Sequence, residues 1–448
     1  MRLKEISRER FNALCYSRRP AADVMSEEFE WWADADERVL GVVARDTTDN
    51  DWFWIALGRD EKALFRCIDI NVSIESQHEA SRQLQQKLRG YSDSGESEFP
   101  QYDTDKKKNR LLVPIVSDAK LHRNFKLLVT GQHHSAAREI IREIAYAFVD
   151  VDGNYVRDFQ TAGFNARLWE LFLFAFLHEQ KCHIIRDFDR PDYHAIKWGF
   201  PFAIEAVSVN PTHSEAIPNP QSDKETRELR RDYMPIKFGS ALFSKLKKKY
   251  WELLHMRGVP FLLAIHDFHG EDSMTWSAPA LDDYLYGLRA SWSKDESGTL
   301  HITENRIEEH TWKGKRIPSG FFNQPLAENV SAVLFSNSAT ISKFNRMGKL
   351  AEFGDPSVEI LRVGMKHRWD PNATEPLPFS VQVKPGEYTE TWSDSVRIFH
   401  NPRALIPIPE ELFDGCSQYW LEDGRRVARL IEHHVYASRT LIMAPKPA

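Results

Sequence analysis

Three acidic residues stand where acids are expensive. Glu170 lies inside the run ARLWELFLFAFLHEQ, Asp192 directly follows Pro191, and Glu205 sits within FPFAIEAVSV. A carboxylate in apolar surroundings is costly unless a cation or an ion partner offsets it. For Glu170 one such partner is close in sequence, Arg167 at i−3, so a plain ion pair and a cation site are both open readings. Around Glu205, alternation places Ala203, Glu205 and Val207 on one strand face and Phe202, Ile204 and Ala206 on the other, so Glu205 is the one charged group of that strand. Acids from two adjacent antiparallel strands, joined by one from a packed helix, can converge as oxygen ligands on a hard divalent cation. Their mutual repulsion then needs the ion.

The elements that must position these groups follow from periodicity. A helix beginning near Asn165 is apolar on nearly every side and is therefore expected to be packed all round. Strands are expected over 182–186, from Pro191 and Asp192 onward, and over 202–207, with a turn at Trp198 and Gly199. A polar, Pro-containing loop spans 210–223. The next helix, over 236–254, carries Leu242, Leu246, Tyr250 and Leu253 on one face and stops before Gly258 and Pro260. The run VPFLLAIHDF reads as a buried central strand, and 330–335 as another. The order is helix, strand, strand, strand, helix, strand.

Outside this segment, strands over 39–43, 52–57 and 65–70 and a helix over 79–88 predict a small N-terminal α+β domain, residues 1–95. The polar stretch 91–110 predicts a linker, followed by strands at 111–116 and 125–129 and a helix bearing Ile140, Ile141, Ile144, Ala145 and Phe148, so 96–159 form a connecting α/β segment. Residues 160–365 form the core. Residues 366–448, Pro-rich with the short runs VRIF and ALIPIP and an amphipathic stretch at 425–434, are expected to be a β-rich C-terminal extension.

The acids, Pro191 and the order of elements resemble the PD-(D/E)XK, or restriction-endonuclease-like, nuclease superfamily. The matching residues are Glu170 in the leading helix, the pair Pro191 and Asp192, and Glu205 in IEAV. The resemblance covers about residues 160–270. It implies an α/β fold with a mixed sheet flanked by helices, in which Asp192, Glu205 and Glu170 bind Mg²⁺ or Mn²⁺ for phosphodiester hydrolysis. One departure stands out: the family's lysine falls two residues after the glutamate, where this chain has Val207. Some members of the superfamily supply that lysine from the following helix, which here carries Lys245, Lys247, Lys248 and Lys249. Lys245, bordering the apolar stripe, is the first candidate and Lys249 the second; solvated lysines on an amphipathic helix are the alternative.

Residues 223–251 hold nine Lys or Arg against four acids, a local basic run in a chain of net charge −6. Lys247, Lys248, Lys249, Arg230 and Arg231 are the candidates for contacting a phosphate backbone. The expected function is a metal-dependent endonuclease acting on DNA rather than RNA, in restriction, phage defence or repair. The competing reading is a nuclease-fold protein that has lost catalysis and binds nucleic acid or a protein partner. His266 and Asp267, at the end of the buried strand, have a possible functional role, whereas the pairs His133–His134 and His433–His434 lack the i, i+4 spacing of a helical zinc site. GxSxG, GxxxxGK[ST] and GxGxxG motifs are absent, which removes the sequence basis for serine-hydrolase, P-loop and dinucleotide readings.

With 448 residues, 42% hydrophobic, the chain is long enough for two or three domains. Its four dispersed cysteines and an N-terminus lacking a signal-type apolar stretch predict a soluble, cytoplasmic protein with no membrane partner, and a homodimer or a protein partner is the expected association.

Overall fold

The computed structural model describes residues 3–102, 109–151, 153–211, 217–270 and 272–443. Residues 103–108 of the expected linker and 212–216 of the expected polar loop thus lie outside the described residues.

Strands β1 (Leu3–Glu5), β2 (Ser26–Asp34), β3 (Val39–Asp46), β4 (Trp52–Arg59) and β5 (Phe65–Ile74) form an antiparallel sheet in sequential order, with helices α1 (Arg8–Leu14) and α2 (Pro20–Met25) between the first two. Helix α3 (Gln77–Ser94) starts where the Ser76 hydroxyl accepts from the Glu79 amide and ends at Gly95 in the left-handed conformation. Its Leu84 and Leu88 pack on Val39, Val43, Trp54 and Ala56. A side chain at Gly41 would stand 2.6 Å from a Leu84 methyl, so glycine there permits the close approach of helix and sheet.

The connecting segment is helical: α4 (Arg123–Thr130), α5 (Ser135–Ala147) and α6 (Tyr155–Gln160). The two strands expected here are not strands. Residues 125–129 lie in α4, which buries Phe125 and Leu128 at i, i+3 and exposes Leu127. Residues 111–116 are irregular because a buried side chain serves as their partner: the Gln160 amide donates to the carbonyls of Leu111 (2.9 Å) and Val113 (2.7 Å) and accepts from the Ile115 amide (2.8 Å).

The core then follows as α7 (Phe164–Glu179), β6 (His183–Ile185), β7 (Tyr193–Lys197), β8 (Phe200–Val209), a short α8 (Asp223–Glu228), α9 (Met234–Leu246) and β9 (Phe261–Asp267). Beyond it lie α10 (Ala278–Tyr286), the hairpins β10 (Leu288–Lys294) with β11 (Leu300–Arg306) and β12 (Glu309–Trp312) with β13 (Lys315–Pro318), then β14 (Ala332–Phe335) and α11 (Ile341–Leu350). The chain closes with β15 (Glu359–Lys366), β16 (Leu377–Gln382), β17 (Arg397–His400), β18 (Ser417–Glu422), β19 (Arg425–Arg429) and β20 (Val435–Met443).

A mixed sheet in the order β19-β18-β17-β14-β9-β8-β7-β6 organises this half of the chain. β8, β9 and β14 are parallel, and β6, β7 and β8 form an antiparallel meander. Helices cover both faces. On one, Leu168, Trp169 and Phe172 of α7 meet Phe202, Ile204 and Leu262. On the other, Phe238, Leu242 and Leu246 of α9 meet Ala203, Val207 and Leu263. This is the expected α/β architecture of a mixed sheet flanked by helices.

Two expectations about its extent need correction. The C-terminal residues are not a separate extension, because β17–β19 continue the core sheet past β14, and the boundary at 365 falls inside β15, which pairs with β16 and β20 in a second sheet. The amphipathic stretch at 425–434 begins as β19, paired antiparallel to β18. The helix expected over 236–254 stops at Leu246: Lys249 adopts φ 52°, and the chain continues in short 3-10 turns. Among the described residues no helix is long and apolar enough to cross a membrane.

The second sheet is tied to α11 by a buried ion cluster. Glu390 accepts from Lys343 (2.7 Å) and Arg346 (2.7 Å), with Arg362 at 3.3 Å. Burial alone would raise the Glu390 carboxyl, but Arg346, Lys343 and Arg362 together hold it well below its usual range. Glu390→Gln would leave three buried cations around a neutral amide. A loss of about 3–5 kcal/mol is expected, the cost of removing one partner from a buried ion pair. Urea unfolding midpoints check this, and an unchanged midpoint would mean the cluster is not holding the sheet.

Candidate active site

Asp192 and Glu205 are cross-strand neighbours. Tyr193 of β7 pairs with Ile204 of β8, which puts Asp192, one residue before β7, beside Glu205. The Asp192 amide donates to Glu205 Oε2 (3.3 Å), and Asp192 Oδ2 accepts from the Ala206 amide (2.7 Å). Asp192 Oδ1 accepts no hydrogen bond from the described residues. Burial, then the charges of Glu205 and Glu170, push the Asp192 carboxyl well above its usual range. A pocket that raises a carboxyl through other carboxylates is one that a cation would stabilise.

Lys245 comes from the last turn of α9. Its Nζ lies 2.5 Å from Glu205 Oε1, which also accepts from the Tyr250 hydroxyl at 2.7 Å. Glu205 is 4% exposed, so its charge is met by these donors and not by water. The geometry follows from the sheet: Glu205 shares its face with Ala203 and Val207, the face that α9 covers.

Glu170 is placed differently. Its helix covers the opposite face, that of Phe202 and Ile204. Its carboxylate accepts two bonds from Arg167 Nη1 (3.2 and 3.1 Å), while Arg167 Nη2 also donates to Asp158 (2.8 Å). Among the described residues no three or more His, Cys, Asp or Glu side chains are grouped to hold a metal ion. The expected three-carboxylate set is therefore not assembled; of the three acids, Asp192 and Glu205 stand together, and Glu170 acts on them through its charge. Two carboxylates still suit Mg²⁺ or Mn²⁺, which commonly take one or two protein carboxylates and complete their shell with water and substrate phosphate oxygens.

The loop that delivers Asp192 is held from both sides. Arg186 Nη1 donates to the Asp192 carbonyl (2.8 Å), with its guanidinium over the rings of Phe148 (4.5 Å) and Tyr193 (4.4 Å). Its Nε and Nη2 are buried without a hydrogen-bond partner among the described residues. The Arg190 carbonyl meets His255 Nε2 (2.8 Å) and His194 Nε2 (3.3 Å), and Phe188 stacks on His255 at 4.0 Å. The Tyr193 hydroxyl donates to the Glu170 carbonyl (2.6 Å), joining β7 to α7.

No family model, characterised protein or solved structure matches this chain.

The basic run divides on inspection. Lys247 and Lys248 are exposed, the former over the Phe243 ring. Arg231 pairs with Asp232 (2.7 Å) and Lys249 with Glu252 (3.1 Å). Arg230, within the π-helical turn at Leu229–Tyr233, is half-buried and its Nε donates to the Trp276 carbonyl (2.6 Å). His266 and Asp267 are fully buried; Asp267 binds the His269 ring (2.6 Å), and His266 Nε2 accepts from the Ala339 amide (3.0 Å).

Tyr250 and Arg186 escaped the sequence reading. Tyr250 looked like part of an apolar stripe, yet a buried tyrosine needs a partner for its hydroxyl, and an orphan acid such as Glu205 is a natural one. For Arg186, at a strand end, the sequence carried no distinguishing signal.

Proposed function

We propose that this chain is a metal-dependent nuclease that hydrolyses phosphodiester bonds, with DNA as its substrate in preference to RNA. The observation that carries the reading is the constellation Asp192, Glu205 and Lys245, in which a lysine from α9 reaches the acidic pair although position 207 is valine. The order α7-β6-β7-β8-α8-α9-β9, in which α8 is a single short helix, supports it. Asp192 and Glu205 would hold Mg²⁺ or Mn²⁺, which when bound polarises the phosphate and activates water. Glu205 orients Lys245, whose ammonium can offset negative charge developing on the phosphate. Tyr250 and the Ala206 amide keep the two carboxylates at fixed angles, and Arg186 secures the backbone of Asp192.

A second reading, a nuclease-fold binding protein without catalysis, is favoured by the same Lys245–Glu205 contact, since an ion pair can simply neutralise a buried acid. Incubating the protein with single- and double-stranded DNA and RNA, with Mg²⁺, Mn²⁺ or chelator, separates the two. Cleavage that needs the metal supports the nuclease; binding without cleavage in any metal supports the alternative.

If Lys247 and Lys248 track phosphates, neutralising both lowers affinity and flattens the dependence of log affinity on log salt by about one unit per lost contact. Filter binding across a salt series measures the slope, and an unchanged slope assigns these lysines to solvent alone.

A further inference from the structure

Away from the acidic pair, a cavity of about 590 Å³ opens where α1, the end of α7, α11 and the loop 385–392 meet. That volume is within the range of small-molecule sites, roughly 300–1,000 Å³. Asp192, Glu205, Lys245 and Tyr250 are not among its lining residues.

The walls combine two chemistries. Ala13, Ile140, Ala175, Met347 and Leu350 give an aliphatic lining, and Tyr16 and Trp392 add aromatic surface. The charge is uneven. Arg8 and Lys181 stand at the rim with no ion-pair partner among the described residues. Behind the wall residue Glu390 lie Lys343, Arg346 and Arg362, all turned to that one carboxylate. The carboxylates lining the cavity are Glu390, Glu9 and Glu179, and Glu179 is already satisfied by the Trp392 and Ser393 amides (both 2.8 Å) and the Ser393 hydroxyl (2.6 Å). Glu9, the remaining lining carboxylate, forms no salt bridge with Arg8 or Lys181, so among the described residues neither rim cation is held in an ion pair.

We infer that this cavity binds a small organic anion with an apolar or aromatic body, held by the Arg8 and Lys181 rim over the aliphatic floor. The body would displace water from Ala175, Met347 and Leu350, while the anionic group stays at the mouth, where desolvation is least costly. The inference stands whether or not the carboxylate pair is catalytic.

The test is a fluorescence titration of the full chain with 8-anilino-1-naphthalenesulfonate, an aromatic sulfonate, beside its uncharged counterpart N-phenyl-1-naphthylamine. Saturable binding of one sulfonate per chain is expected, weaker by about tenfold or more in the double variant Arg8→Ala/Lys181→Ala, the scale of one lost charge-assisted contact. Met347→Trp, which fills the cavity, should remove it while the thermal midpoint stays near that of the parent. If that variant does not fold, the rim variant decides, since both its positions are exposed. Absence of binding, equal affinity for the uncharged dye, or a sulfonate affinity unchanged by the rim substitutions would overturn the assignment.

Discussion

Asp192→Asn is expected to lower metal-dependent cleavage by more than about 10²-fold, because losing a residue that merely supports a ligand already costs about 10- to 100-fold and Asp192 is proposed as a ligand itself. The substitution is nearly isosteric. An asparagine oxygen can still accept from the Ala206 amide, so the β7–β8 junction keeps its hydrogen bond. What disappears is a charge that the fold tolerates poorly: burial and the neighbouring Glu205 and Glu170 raise the Asp192 carboxyl. A carboxyl raised in the folded state binds protons more tightly there than in the unfolded chain, so metal-free stability falls as pH rises from the ordinary carboxylate range through the raised value. Asp192→Asn should remove that fall. The metal-free variant is thus expected to unfold at the same or a higher temperature than the parent near neutral pH, while the stabilisation that Mn²⁺ gives the parent is lost. Thermal unfolding with and without Mn²⁺, beside the cleavage assay, reads both effects. Retained cleavage with an unaltered response to Mn²⁺ would remove Asp192 from the site.

The site was legible where local alternation decides geometry and illegible where packing does. Period-two alternation alone put Glu205 with Ala203 and Val207, and that face is the one α9 covers. Nothing in the sequence says which face of a sheet a helix will cover, so Glu170 was expected beside Glu205 although α7 lies on the other side. Length was the second weakness. Gly239 leaves α9 unbroken, no glycine or proline follows it before Gly258, and only the left-handed turn at Lys249 shows that α9 has ended. The third was remoteness: β17–β19 join a sheet whose other strands lie more than 60 residues earlier, and such pairing leaves no local trace. At 111–116 an apolar run without a partner strand was satisfied by one side chain, Gln160, a solution no periodicity announces.

Lys245→Met should separate the two meanings of the contact with Glu205. The ammonium is 2.5 Å from Glu205 Oε1, close enough to stand in the metal-free protein where a cation would otherwise lie. If its role is to neutralise the acid, removing it leaves a carboxylate that is 4% exposed and supported, among the described residues, by Tyr250 and the Asp192 amide, and the cost appears in stability. If its role is in cleavage, the cost appears in rate. Methionine keeps most of the packing of the lysine stem along α9 and removes the charge. In the nuclease, Mn²⁺ can take over the neutralisation of Glu205, so the metal-loaded variant is expected to be folded, to bind DNA nearly as the parent does, and to bind Mn²⁺ at least as tightly, since a competing cation is gone. Its cleavage rate is expected to fall by about 10² or more, the scale seen when one donor to a developing oxyanion is lost. Single-turnover rates at saturating Mn²⁺, with affinities for metal and DNA measured separately, distinguish the cases. Full cleavage activity in the Met variant would reject Lys245 and pass the same test to Lys249, which the fold now pairs with Glu252 on the exposed turn beyond α9.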